Sequence, residues 1–258
     1  MFKGKILVAL PAYNEAANLP PLFGRLCQTL DALKQPYEII VVNDGSTDKT
    51  AEVIRTWASQ KNIRPVEHPF NLGLGATIRD ALFAAASMAT NQDLIITMDA
   101  DNTHPPELIP EMIQLAITGA DVVIASRFVP NAQVFGLSRF RQLLSEVASR
   151  LFRFLLPIKG VRDYTCGYRV YKAKTIKAAF AEYGPEGFVD QEGFQCMVDI
   201  LLKLRKLEGT TFAEAPLLLE YHKKEGASKM QIGKTVWNTL RLIVLYKSGK
   251  MGKTEKVG

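Results

Sequence analysis

No stretch of this chain is apolar for long enough to cross a bilayer. A membrane helix needs about 18 or more consecutive apolar residues, and none occurs. Cysteine is scarce. Cys27, Cys166 and Cys196 are spaced for neither a zinc site nor a disulfide framework, so free thiols in a reducing cytosol are expected. Histidine is equally sparse, and His68, His104 and His222 share no ligand spacing, which argues against zinc. A Gly-x-Ser-x-Gly nucleophile elbow is missing, which leaves a Ser-His-Asp hydrolase unsupported. Residues 1–10 lack the apolar stretch and cleavage site of a signal peptide. There is no internal repeat and no low-complexity block.

The 258 residues, 47% hydrophobic and 22% charged, suit one sizeable α/β domain with a proper core. The net charge of +6 is uneven. Residues 223–258 hold nine Lys or Arg and two Glu, a local +7, so the rest sums to about −1. Such an end fits an anionic partner, a membrane face, a phosphate or a nucleic acid, or else a solvated tail. Nucleic acid is not expected, because no surface interleaving aromatic and basic residues is legible.

Strand and helix alternate over the first 130 residues. Strands are expected at 5–10, 37–42, 63–67, 94–98 and 121–125, and helices at 19–33, 50–60, from after the 71–75 segment to about 89, and at 106–118. This order predicts a mostly parallel sheet covered on both faces. Beyond Arg127 the pattern changes. An amphipathic helix is expected at 138–155, with Leu143, Leu144, Val147, Leu151, Phe154 and Leu155 toward one side and Arg139, Arg141, Arg150 and Arg153 around it. A loop entering a strand (163–171), a helix (194–204), a strand (217–221) and a second amphipathic helix (232–246, with Trp237) follow. Residues from about 250 are expected to be a flexible basic tail. Arg or Lys mixed with Leu, Phe, Ile and Trp suits helices lying in a membrane interface, which with the basic tail points to an anionic leaflet. The alternative is that both helices cover the sheet or form a dimer face.

Three segments carry chemistry. At 94–101 an apolar strand runs out into Asp99-Ala100-Asp101. In extended backbone this spacing turns both carboxylates to one side, at the carboxyl end of a strand where open α/β sheets bind ligands. Two hard oxygen ligands there suit Mg²⁺ or Mn²⁺ bridging a diphosphate, although Asp-x-Asp is also an ordinary turn. After the first strand stands Pro11-Ala12-Tyr13-Asn14-Glu15. Tyr13 offers a face for stacking a base and Glu15 an acceptor for a base edge or ribose, or else Asn14 or Asn18 caps the next helix. After the second strand comes Val42-Asn43-Asp44-Gly45-Ser46, where Asp44 can accept from a base N–H. The glycines of Gly73-Leu74-Gly75 fit a tight turn rather than a dinucleotide fingerprint.

In order and spacing these motifs, with His104-Pro105-Pro106 behind the aspartates, resemble glycosyltransferase family 2 with its GT-A fold, and within it the dolichol-phosphate and polyprenyl-phosphate mannosyltransferases. Asp163-Tyr164-Thr165-Cys166-Gly167-Tyr168-Arg169, Ser126-Arg127-Phe128 and Gly226-Ala227-Ser228-Lys229 resemble further elements of that group, so the likeness runs from about residue 5 to 247. It implies one GT-A domain over 1–249, with a nucleotide-binding half to about 127 and an acceptor half from 128. It implies that Pro11, Tyr13, Glu15, Val42 and Asp44 hold the nucleotide, and that Asp99, Ala100 and Asp101 hold Mg²⁺ or Mn²⁺ and the donor, with Thr103 near the metal. Arg127, Arg169, Lys223 and Lys229 would bind phosphates of donor or acceptor. Lys223 stands where the family often has Arg, so the charge is kept and a bidentate clamp is lost.

The activity implied is inverting transfer of one hexose to a polyprenyl phosphate on the cytoplasmic face of a membrane. Peripheral attachment, a small membrane-anchoring partner or a homo-oligomer would go with it. GDP-mannose is the favoured donor and UDP-glucose the runner-up. The Gln-x-x-Arg-Trp signature of processive synthases is absent, which fits single transfer. A phosphate acceptor, its second pKa near 6 (about that of a phosphomonoester), needs no general base. A glycan or lipid hydroxyl would need one, from Asp163, Asp190 or Asp199.

Overall fold

A first strand, β1 (Ile6–Ala12), is buried at every position, as an unbroken apolar run in the middle of a parallel sheet should be. The computed structural model describes residues 2–136, 139–223, 225, 241–244 and 246. Around β1 the chain lays down α1 (Leu19–Ala32), β2 (Tyr37–Asn43), α2 (Thr50–Ala58), β3 (Ile63–Glu67), α3 (Leu74–Met88) and β4 (Leu94–Thr97). A 3₁₀ turn (Pro106–Leu108) leads into α4 (Ile109–Ile117) and β5 (Val122–Ser126). The chain continues through β6 (Gln133–Phe135), α5 (Arg139–Leu155), β7 (Arg169–Lys172), α6 (Ala173–Phe188), α7 (Cys196–Lys206), β8 (Phe212–Pro216) and β9 (Leu218–Glu220), which runs into a 3₁₀ turn (Tyr221–Lys223).

Seven strands form one sheet in the order β3-β2-β1-β4-β7-β5-β8. All neighbours are parallel except around β7, which is wedged antiparallel between β4 and β5. The expected mostly parallel sheet with flanking helices is therefore the observed one. β6 and β9 pair in a second, two-stranded sheet. Because β2, β1 and β4 are neighbours, the loops after Asn43, Ala12 and Thr97 leave the sheet side by side, and there the crevice forms.

Two close approaches shape this end. Gly45 has φ +62°, and a Cβ on it would stand 2.3 Å from the Phe70 backbone, so the loop after β3 packs directly on the loop after β2. Gly75 opens α3 against residues 191–192, where a Cβ would lie 1.8 Å from the Gln191 carbonyl oxygen and the Gly75 N–H reaches the Glu192 carbonyl at 2.9 Å.

The amphipathic character of α5 takes an instructive form. Phe152 and Leu156 are buried, Phe152 stacking on Tyr164 at 5.3 Å between centroids. Val147, Leu151 and Phe154 form a stripe on the outer side, Phe154 being 83% exposed. That part of the stripe does not cover the sheet. The second amphipathic helix falls mostly outside the described residues. Of it, 241–244 and 246 are helical, with Leu242 and Ile243 buried in the core. Among the described residues no helix is long and apolar enough to cross a membrane. The three cysteines are buried and free.

Candidate active site

The turn after β1 is locked to the loop after β2. Asn14 takes a left-handed conformation (φ +50°), which its short amide tolerates. Its N–H donates to Ser46 Oγ at 2.9 Å, and its Oδ1 accepts the Thr47 N–H at 2.8 Å. The Glu15 N–H donates to Thr50 Oγ1 at 2.8 Å. Tyr13 is half-buried beside this network. Glu15 is buried, and its Oε2 accepts from Asn18 Nδ2 at 2.7 Å. Asn18 stands at the N-cap of α1 but makes no capping hydrogen bond with its side chain. Its amide instead grips the backbone of Glu225, accepting the N–H at 2.9 Å and donating to the carbonyl at 3.1 Å.

Asp44 is buried and well supplied with donors. Oδ1 lies 2.7 Å from His68 Nδ1 and accepts the Leu72 N–H at 2.8 Å, and Oδ2 accepts the Gly73 N–H at 3.0 Å. Its carboxylate thus ties down residues 68–73 at the crevice wall.

The two aspartates are not presented by extended backbone, as the i, i+2 spacing alone predicts. β4 ends at Thr97, and 99–101 begin a turn that passes through left-handed Asn102 (φ +61°). The two carboxylates have different surroundings. Asp101 is buried, and its Oδ1 accepts the Thr103 hydroxyl at 2.7 Å and the Thr103 N–H at 3.2 Å. The Asp99 side chain keeps 39% of its surface. The Asp99 N–H donates to His104 Nδ1 at 3.2 Å, so Nε2 is the ring nitrogen left to carry hydrogen, 3.8 Å from Asp99 Oδ2. His104 is fixed by stacking on Tyr168 at 5.2 Å, and the Tyr168 hydroxyl donates to the Pro105 carbonyl. Asp99 Oδ1 lies over Gly167, where even a Cβ would come within 3.4 Å.

Arg127, one residue beyond β5, faces the same place. Its Nε and one terminal nitrogen clasp Asp163 at 2.7 and 2.8 Å, and the terminal nitrogen also donates to Thr165 Oγ1 at 2.6 Å. The Asp163 side chain is fully buried and that of Arg127 is 18% exposed. Burial opposes both charges. Each nevertheless holds the other ionised, with Asp163 below the ordinary carboxylate range and Arg127 above its own ordinary value. Asp99 adds to the pull on Arg127. Burial pushes the neighbouring Cys166 thiol up to about 12, so it stays protonated.

Lys223 reaches the crevice by another route. The Glu220 N–H donates to the Thr103 carbonyl at 3.1 Å, which seats β9 against the aspartate turn, and Lys223 Nζ pairs with Glu220 Oε2 at 2.6 Å. Arg25 on α1, not singled out by any motif, joins the same group. It clasps Glu107, donates to Asn102 Oδ1 at 3.2 Å and reaches Glu220 at 3.4 Å.

Arg169 is a correction. It is wholly buried, and its guanidinium donates to the carbonyls of Met197 and Tyr164, joining β7 to α7, so it does not line the crevice. Lys229 and its Gly226-Ala227-Ser228 neighbours lie outside the described residues. Of the acids weighed as bases, Asp163 and Asp199 are buried and paired, while Asp190 is exposed. Asp163 is held by Arg127. Asp190 lies 3.3 Å from Lys203 Nζ and accepts from Gln191. Asp199 is fully buried against Lys203 at 2.7 Å, and burial pushes its carboxyl up to about 7 despite that lysine.

Comparison with known proteins bears on this site. The family model described as glycosyl transferase family 2 matches residues 7–180. A dolichol-phosphate mannosyltransferase from Pyrococcus furiosus is 31% identical over 93% of this chain, which spans 62% of that relative's length. An undecaprenyl-phosphate mannosyltransferase from Micrococcus luteus is 30% identical over 92% of this chain and 93% of its own. Among solved structures, glucosyl-3-phosphoglycerate synthase from Mycobacterium tuberculosis, crystallised with Mn²⁺, uridine diphosphate and phosphoglyceric acid, superimposes with a TM-score of 0.64. It covers 98% of this chain and 80% of its own at 19% identity, a likeness of fold.

Proposed function

Because this chain belongs to the glycosyl transferase family 2, we propose that it moves one hexose, mannose favoured, from a nucleotide sugar to a polyprenyl or dolichyl phosphate with inversion. The observation that carries this reading is that the Asp99–Asp101 turn leaves β4 beside the β1 turn that bears Tyr13 and Glu15, with Asp99 close enough to act on the charge of Arg127. The names of the relatives support the acceptor.

The residues fit a hard divalent cation of the Mg²⁺ or Mn²⁺ kind. Among the described residues no three His, Cys, Asp or Glu cluster to cage a metal, so the two aspartates would share the ion with diphosphate oxygens, the usual habit of Mg²⁺. When bound, that ion stabilises negative charge on the departing nucleoside diphosphate. The chain's own residues do the rest. Pro11, Tyr13, Glu15, Val42 and Asp44 form the nucleotide wall, with Ala100 between the two aspartates. The Thr103 hydroxyl holds Asp101 in place. The exposed edge of Arg127, with Lys223 and Lys229, supplies positive charge for the phosphates.

An acceptor phosphate is its own nucleophile and is aligned by cations. The buried, paired state of Asp163 and Asp199 supports a reaction without a protein base, and exposed Asp190 is put to the test by Asp190→Asn. Asp199→Asn is therefore expected to keep transfer within about tenfold, since a general base contributes typically 10²–10⁴-fold. Its stability profile should also change. A carboxyl raised to about 7 in the folded state costs stability as pH climbs from the ordinary carboxylate range through 7. Thermal melts of Asp199→Asn should lose that decline. If Asp199→Asn or Asp190→Asn is inactive while still binding donor, the acceptor is a hydroxyl and the lipid-phosphate reading fails.

The outward stripe of Val147, Leu151 and Phe154, with Arg150 and Arg153 beside it, supports contact with the cytoplasmic face of an anionic membrane. The deciding assay presents GDP-mannose, UDP-glucose and other donors with a polyprenyl phosphate and Mg²⁺ or Mn²⁺, reading product by mass spectrometry. A lipid-linked hexose phosphate is expected. Transfer to glycan or lipid hydroxyls alone overturns the proposal, and failure to float with anionic vesicles overturns its membrane part.

A further inference from the structure

His68 follows β3 directly and is 9% exposed, with a carboxylate on each ring nitrogen. Nδ1 lies 2.7 Å from Asp44 Oδ1, and Nε2 lies 3.0 Å from Asp80 Oδ2. On α3, Asp80 is in turn held by Arg79, whose Nε donates to Oδ1 at 2.8 Å. A line of polar contacts thus runs from Arg79 through Asp80 and His68 to Asp44 directly after β2, each side chain fixed by the next.

Asp44 is held from three directions. His68 and the Leu72 N–H occupy Oδ1, and the Gly73 N–H occupies one position on Oδ2. An ionised carboxylate has about four acceptor positions, so one remains, on Oδ2. His68 is the side chain among these three donors. The other two belong to the 68–73 loop, which the Gly45 contact presses onto the end of β2.

We propose that His68 is a positioning residue for the donor's base, acting through Asp44. By bridging Asp44 to Asp80 it holds the carboxylate in one orientation, with its remaining Oδ2 position aimed at one place. That position favours a base with a ring N–H, as in uracil or guanine, over cytosine, which presents a ring acceptor there. Nothing in the sequence motifs pointed to His68, whose partners stand 24 and 12 residues away. The inference rests on reading the crevice as a nucleotide-sugar site.

The test is titration calorimetry on the full chain with Mn²⁺, using UDP, GDP, CDP and inorganic pyrophosphate, each against the parent, His68→Gln and Asp80→Asn. Gln lacks the two opposed ring nitrogens that span Asp44 and Asp80, and Asp80→Asn keeps a partner for Nε2 while removing its charge. For His68→Gln, affinity for UDP or GDP is expected to fall about tenfold or more, the scale of a hydrogen bond to a charged group. Preference over CDP should shrink, and pyrophosphate affinity should hold within about twofold on the same scale. Asp80→Asn should show a smaller effect of the same kind. Equal weakening of pyrophosphate and nucleotides, or no weakening of either in both variants, overturns the proposal and leaves His68 a packing residue. If the parent chain binds none of the nucleoside diphosphates, the donor reading itself falls, and this inference with it.

Discussion

Asp101→Ala is expected to reduce hexose transfer by roughly 10³-fold or more, the scale seen when one preorganised charge-stabilising group is lost. Metal-dependent donor binding should go with it. Asp101 lies beyond the end of β4, and its Oδ1 accepts from Thr103, two residues away. The substitution therefore deprives the crevice of a hard oxygen ligand while the strands behind it keep their pairing. The two measurements to set side by side are turnover with a saturating divalent cation and the thermal midpoint. Lost turnover with a midpoint within a few degrees of the parent is the expected pair. Retained, metal-dependent turnover would refute the assignment of Asp101.

Arg127→Ala should be severe in a different way. It leaves the Asp163 carboxylate buried and without its cation, a change that typically costs about 3–5 kcal/mol. In a chain of this length that lowers the melting midpoint by on the order of 10 °C. The pH dependence should also change sign. In the parent, Asp163 is held below the ordinary carboxylate range, so its contribution is present at neutral pH and is lost only as acid titrates it. Without the guanidinium, burial is opposed mainly by the backbone N–H groups of residues 127, 165 and 166, so the carboxyl rises and stability is lost as pH rises. Melts of Arg127→Ala should therefore improve from pH 8 to pH 5. Adding Asp163→Asn should recover much of the midpoint without restoring transfer. An Arg127→Ala protein with the parent's midpoint and pH slope would show that the clasp contributes nothing.

Most of the donor-side architecture could be read from short-range pattern. The unbroken apolar runs of β1, β2 and β4 announce central parallel strands, and acids and turn residues directly after them announce a crevice. Elements built from long-range contact were not readable. β8 (Phe212–Pro216) is short, contains Ala and Pro, and is a strand only because β5 lies beside it. α6 is interrupted at Gly184-Pro185, which breaks its helical period. Arg25 finds Asn102 and Glu107 across 77 and 82 residues, and Asn18 finds Glu225 across 207. Arg169 failed as a phosphate ligand for the complementary reason. A motif gives a residue's neighbours in sequence but not the face of the strand it takes, and at β7 that face is the interior. Asp99 and Asp101 were readable as a pair, but not that Asp101 is buried and braced by Thr103 while Asp99 keeps 39% of its side-chain surface.

The position of β7 has a consequence for how this chain is put together. β4 and β5 never touch edge to edge. Each is completed by β7, which is not available until residues 169–172 have been made. A chain cut near 127 would carry three raw strand edges open to pairing with other chains, one on β4 and both on β5. Residues 1–127 are thus not a unit of assembly. During synthesis the β3-β2-β1-β4 layer can form early, from contacts local in sequence. Closing β5 into the same sheet must await a loop closure of more than 40 residues, the non-local step that slows folding.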